Sequence, residues 1–106
     1  MTRLTIFKNG EHYLGFSCVG HSGYADEGYD IVCSAVSTAV QLTASFLVKF
    51  HEKDVVLSVD ERDALIELKC KKTFEEFDRQ LSVLDDFSAQ LSEQYSDYFD
   101  FDYLEV

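Results

Sequence analysis

The chain has 106 residues, 46% of them hydrophobic and 14% aromatic, which suits one domain with a real core and is too aromatic for a disordered acidic tail. Its 20 acidic residues against 9 basic give a formal net charge of -11; such a surface repels phosphate backbones, which argues against direct nucleic-acid binding, and attracts a basic protein or peptide. Three cysteines are too few for a disulfide scaffold, Met1 to Gly10 shows no secretory signal, and no apolar run approaching membrane-spanning length is read, so the expectation is a cytoplasmic protein with reduced thiols and no membrane contact.

Thr2 to Lys8 is β-branched and alternating and predicts a strand. Asn9-Gly10 is the favoured pair for a tight hairpin turn, because both residues tolerate positive φ. His12 to Val19 is then the partner strand, with Leu14, Phe16 and Cys18 on one face. The stretch "GHSGYADEGYDIVC", Gly20 to Cys33, leads into a helix. Asp30 reads as its N-cap, and Val32, Val36, Val40, Thr43 and Leu47 recur at helical spacing. The small residues Ser34, Ala35, Ser37, Thr38 and Ala39 in its first turns predict a close neighbour.

Asp54 to Val59 and Ala64 to Cys70 alternate like strands around a polar turn at Asp60 to Asp63. Thr73 with Glu76 forms a capping box before a second helix, whose Phe74, Phe77, Leu81, Leu84, Ser88 and Leu91 share one face. The closing "YFDFDYLEV" puts Phe99, Phe101 and Tyr103 on one side and Asp100 and Asp102 on the other. The order β-β-α-β-β-α-β predicts an α+β single domain over residues 1–106: one mixed or antiparallel sheet with two helices packed on one face. Strand order is not readable from this pattern. Exposed edges are expected, and pairing them is one route to a dimer.

Cys33 and His21 are the residues with chemistry to offer. With Asp30 as cap, Cys33 is the third helical residue, beside the unpaired N–H groups and positive dipole end that stabilise a thiolate and hold an oxyanion. Against this, Cys33 lies on the apolar side with Val36, Val40, Ala44 and Leu47, as an inert core thiol would. His21, between Gly20 and Gly23 at the end of a strand, is placed like a catalytic base or like an exposed loop histidine. A strand ending in histidine beside a helix beginning in cysteine makes a nucleophile–base dyad feasible. Asp30 is read as the cap, with orientation of His21 as the alternative; Ser37 is one turn after Cys33 and either supports the site or merely packs. Cys18, His21 and Cys33 offer three zinc ligands, but Cys18 continues the core face and no second close-spaced ligand pair exists, so no metal and no cofactor are expected. Cys70 reads as core, and His12 and His51 stand alone in polar surroundings.

The run Gly20-His21-Ser22-Gly23-Tyr24-Ala25, then Gly28, then Asp30-Ile31-Val32-Cys33, then Ala35-Val36-Ser37, resembles the ribosomal-processing cysteine protease family, Prp. The resemblance extends over the whole chain in length and element order. It implies a cytoplasmic bacterial endopeptidase, a homodimer, that removes the N-terminal extension of a large-subunit ribosomal protein of the L-twenty-seven family. Cleavage would follow an aromatic-rich segment ending in phenylalanine. By motif the base falls on His21 and the nucleophile on Cys33, with Asp30 and Ser37 near the site. Backbone N–H groups at the helix start, with Gly20 or Ser34, are expected to hold the oxyanion. The stretch with Tyr24, Gly28 and Tyr29 is expected to be a lid loop closing on substrate. Two rivals are kept: a non-catalytic acidic module that binds a peptide or ribosomal protein on a sheet edge, and a redox-sensing thiol with Cys18 near Cys33 in space.

Overall fold

The structure, a computed structural model, describes residues 1–20 and 27–106, with the backbone alone at 27–30. Strands β1 (Thr2–Asn9) and β2 (His12–Val19) form a hairpin, helix α1 (Glu27–His51) follows, and a single 3-10 turn (Glu52–Asp54) leads into a second hairpin, β3 (Val55–Asp60) and β4 (Leu65–Cys70). Helix α2 (Glu75–Gln94) and strand β5 (Phe99–Glu105) complete the chain. The sheet order is β3-β4-β2-β1-β5. It is mixed: β1 runs antiparallel to β2 and parallel to β5.

Both helices pack on one face. Leu4 and Ile6 of β1, Phe16 of β2 and Leu68 of β4 alternate inward and are fully buried. They meet Val32, Val36, Val40 and Leu47 of α1 and Phe77 and Leu81 of α2 in one cluster. Each such side chain contributes about 1.5–3 kcal/mol of burial. On the opposite face Arg3 pairs with Asp100 at 2.7 Å, and Thr5 donates to Asp102 at 2.7 Å, each across the parallel β1–β5 register.

Several local expectations are corrected. Asn9 pairs with His12, so the hairpin turn is Gly10-Glu11, with positive φ (61°) at Gly10 alone. Leu14 is the extra residue of a bulge and only half-buried. The neighbouring Gly15 has φ 131°, and a Cβ there would run into the backbone of Leu68. Ala44, not Thr43, completes the buried stripe of α1; Thr43 Oγ1 donates to the Ala39 carbonyl at 2.8 Å. The Thr73–Glu76 capping box does not form: α2 starts at Glu75, with Phe74 extended as its N-cap and no side-chain cap bond. Phe74 instead packs edge-on against Phe77 and His51, at centroid distances of 5.3 and 5.5 Å.

Neither remaining histidine stands alone. His12 Nδ1 lies 2.9 Å from Asp78 Oδ2. His51 joins the Phe74–Phe77 cluster, its Nε2 3.0 Å from Glu76 Oε2 though out of line for a hydrogen bond. The sequence from Ile31 to Asp54, with mean hydropathy 1.8 over its apolar window, is long and apolar enough to cross a membrane by length and composition. The expectation that no such stretch exists missed it, because interspersed serines and threonines break the apolar run while its mean stays high. In this fold the inner stripe of that helix is core.

At the end of the sheet where β1 finishes, Asp85 of α2 is buried and accepts from the Tyr13 phenol at 2.5 Å and the Tyr103 phenol at 2.6 Å. Burial, then the Asp85 carboxylate, push both phenols up, Tyr103 to about 12. Lys8 Nζ lies 4.7 Å from the centre of the Tyr13 ring. Asn9 Nδ2 donates to the Val106 carbonyl and the Gly10 N–H to Glu105 Oε1, binding the hairpin to the last strand.

Candidate active site

Three elements converge at the other end of the sheet. β2 stops at Val19, and the Gly20 N–H donates to the Ala64 carbonyl at 3.1 Å. This sets Gly20 against α1: a methyl group placed on Gly20 would stand 3.8 Å from Cys33 Sγ and 3.8 Å from Thr2 Oγ1. The half-buried Cys33 shares a pocket of about 130 Å³ with Thr2, Cys18, Gly20, Ser37, Ala64 and Ile66. A thiol at the wall of a small cleft, with room in front of it, is what a nucleophile needs and an inert core thiol lacks.

Ala64 is the strained member of this pocket. Its φ of 51° is left-handed, a conformation costing a non-glycine residue roughly 1–2 kcal/mol. Asp60 Oδ1 accepts the N–H groups of Arg62 (3.0 Å) and Asp63 (3.4 Å), which winds the turn, and the Ala64 N–H closes it on the Glu61 carbonyl at 3.4 Å. The reward of the turn is the Ala64 carbonyl, aimed at Gly20.

The start of α1 differs from expectation. The helix begins at Glu27, so Asp30 is its fourth residue rather than its N-cap, and Cys33 its seventh rather than its third. Gly28 and Tyr29, expected in a lid loop, belong to the first turn of α1. The helix's unpaired N–H groups lie in that first turn; those of Cys33 and Ser34 are inside the hydrogen-bonded ladder. The Gly20 N–H is also engaged, so neither Gly20 nor Ser34 has a free N–H for an oxyanion. Ser34 faces away altogether, into an open apolar groove with Ile31, Ala35, Thr38, Ala39 and Phe87. Helix α2 is the neighbour these small residues predict: its Phe87 borders the groove, and Ala35 and Ala39 are partly buried against the core.

Two hydroxyls do border the pocket. Thr2 Oγ1 is buried, with no hydrogen-bond partner among the described residues. Ser37 Oγ accepts from Gln41 Nε2 at 2.8 Å, which leaves its own proton to donate. Cys18 does lie near Cys33: both line the pocket, and burial with the neighbouring Cys33 pushes the Cys18 thiol up to about 12. Burial pushes Cys70 up to about 12 as well. His21, Gly23 and Tyr24 lie outside the described residues, as do the side chains of Tyr29 and Asp30. Sequence reasoning missed Thr2, Ala64 and Ile66 as pocket residues. Each is far from Cys33 along the chain, and only the pairing of β1, β2 and β4 brings them to it.

The sequence matches the family described as cysteine protease Prp over residues 1–100. Among solved structures, the chain is similar to the essential ribosomal processing protease Prp from S. aureus in complex with a substrate peptide, at 17% identity and a TM-score of 0.86, covering 98% of this chain and 100% of that one. It is similar at 16% identity and a TM-score of 0.78 to that protease with a covalently linked product peptide, with 98% and 100% covered. SMU.848 from Streptococcus mutans aligns at 21% identity and a TM-score of 0.84, over 100% of this chain and 96% of that one. No curated protein matches the sequence. At these identities the structural likeness shows the fold: one domain, a mixed five-stranded sheet and two helices.

Proposed function

The chain belongs to the Prp family of cysteine proteases, and on that premise we propose that it is an endopeptidase removing the N-terminal extension of a bacterial large-subunit ribosomal protein of the L-twenty-seven family. The observation that carries this reading is the Cys33 thiol in its pocket, with Gly20, the residue directly before His21, packed against it. Cys33 as thiolate attacks the scissile carbonyl. His21 takes the thiol proton and later protonates the leaving amine, and water releases the acyl-enzyme. The hydroxyls of Thr2 and Ser37 are the polar groups at hand for the carbonyl oxygen, in place of the occupied Gly20 and Ser34 N–H groups.

The substrate assignment is supported by the S. aureus protease, a ribosomal processing enzyme that binds a substrate peptide. The net charge of -11 supports a basic ribosomal precursor as partner. Cytoplasmic location, a homodimer and a lid around Tyr24 complete the reading as expectations of the family. The test is incubation with the ribosomal-protein precursor and mass spectrometry of the products. Wild type should release one N-terminal fragment, Cys33→Ala none, and His21→Ala should be slower by about 10²–10⁴-fold. An intact precursor that stays bound to wild type would favour the acidic binding module instead.

A further inference from the structure

β3 carries an anomaly that the core does not absorb. Val55, Leu57 and Val59 alternate onto the helix side of the sheet, as a buried strand face should. Val55 is buried, but Leu57 is 41% exposed and Val59 62% exposed on this edge strand. The uncovered strip lines a trench that continues from the Cys33 pocket. Ser37, Ala64 and Ile66 border both the pocket and the next hollow, of about 420 Å³, which Val59, Asp60 and Glu61 close. Gln41 and Ile66 pass that hollow on to a third, of about 360 Å³, under Leu57 and Lys49.

From Cys33 to Lys49 the trench follows α1 for about 24 Å at about 1.5 Å per residue, the span of roughly seven extended residues. Among the described residues it is apolar along its floor, acidic at the end nearer Cys33 through Asp60 and Glu61, and basic at its far end, at Lys49.

We propose that this trench is the substrate cleft on one side of the scissile bond. It takes an extended polypeptide whose apolar side chains seat on Leu57, Val59 and Ile66 and whose basic side chain, close to the cleavage point, meets Glu61. The inference rests on the protease reading. Its basis is continuity with the thiol pocket, the uncovered apolar strip and the acidic rim. A second copy of this chain, itself strongly acidic, suits that rim less well. Asp60 holds the turn through its Oδ1, which leaves Glu61, exposed in the turn, as the residue free to read charge.

The test uses the full chain carrying Cys33→Ala and a fluorescent peptide spanning the cleavage point of the ribosomal precursor, with a second peptide whose lysines and arginines are replaced by glutamine. Adding Val59→Glu should weaken binding of both by at least about tenfold, since it places a carboxylate on the apolar seat. Adding Glu61→Gln should weaken the basic peptide several-fold and leave the neutral one unchanged. Val83→Glu, at an exposed site on α2, should change neither. Val59 is largely exposed, so the fold survives its substitution, as circular dichroism would verify. Parent-like binding by Val59→Glu overturns the cleft, as does a dimer that this substitution splits in sedimentation velocity, since a second copy would then cover the strip. Turnover separates the two claims. Wild type cutting the precursor, with Val59→Glu at an unchanged KM, sinks the cleft and keeps the protease; binding sensitive to Val59→Glu without cutting by wild type does the reverse.

Discussion

Where β1 finishes, Asp85 holds the Tyr13 and Tyr103 phenols, Lys8 lies over the Tyr13 ring, and Asn9 and Gly10 are tied to Val106 and Glu105. Where β1 begins, roughly 24 Å away, Thr2 Oγ1 has no partner among the described residues, Ala64 is left-handed, and Val59 is uncovered. One end of the sheet satisfies its polar groups with its own side chains. The other keeps strain, a spare hydroxyl and apolar surface around a thiol. Local rules broken at one place and obeyed elsewhere mark where a chain binds and reacts rather than where it is held together.

The largest effect that would break this contrast is at Cys33. Cys33→Ala should remove all cleavage, read by mass spectrometry, while the melting temperature stays close to wild type. A variant that unfolds instead would make the thiol end structural. Next is Asp85→Ala, which strands two phenols and should cost about 2–3 kcal/mol in urea unfolding with kcat per folded molecule unchanged. Wild-type stability with reduced kcat would move that network into catalysis.

Tyr103→Phe should cost less, about 1 kcal/mol, and should show in the pH profile. The fold raises the Tyr103 phenol from 10.0 to about 12, so it favours the neutral form. The stability this supplies is complete below pH 10 and is lost as pH rises toward 12. Cys18 and Cys70, raised from 9.0 to about 12, act in the same direction from pH 9 upward. Alkaline unfolding followed by near-ultraviolet circular dichroism should therefore begin above pH 9 and be shallower in Tyr103→Phe; an identical profile would detach Tyr103 from the network's stability. The smallest effect is at Ala64→Gly. Relief of a left-handed alanine, about 1–2 kcal/mol, is partly offset by the freer unfolded glycine, leaving a gain of about 0.5 kcal/mol. A loss of stability there would mean that Ala64 is not strained.

Both hairpins and the last strand could be read from alternation and turn residues to within a residue or so, because those signals are local. Both helix starts could not. Asp30 and Thr73 carry the right side chains for caps, yet Glu27 to Tyr29 join α1 without apolar periodicity to announce them, and Phe74 is drawn into an extended position by its contacts with His51 and Phe77. Cys33 was legible as a candidate because its surrounding motif is contiguous. Thr2 was not, since nothing around it distinguishes a core threonine from one facing a thiol. Ala64 was not either, because an alanine in a left-handed turn has no sequence signature where glycine or asparagine would have one. The parallel pairing of β1 with β5 was equally silent, being a choice among tertiary partners rather than a property of either strand.

That pairing has a kinetic consequence. β1 sits inside the sheet, yet its neighbour β5 is separated from it by 97 residues at the Arg3–Asp100 contact. A nascent chain that has not yet made β5 presents β1 as a bare edge, with Phe99 missing from the core and no partner for Arg3. Closing so long a loop comes late and makes folding slow for a chain this small. Since Thr2 opens β1, the walls of the thiol pocket are fixed only after the chain has been synthesised through β5.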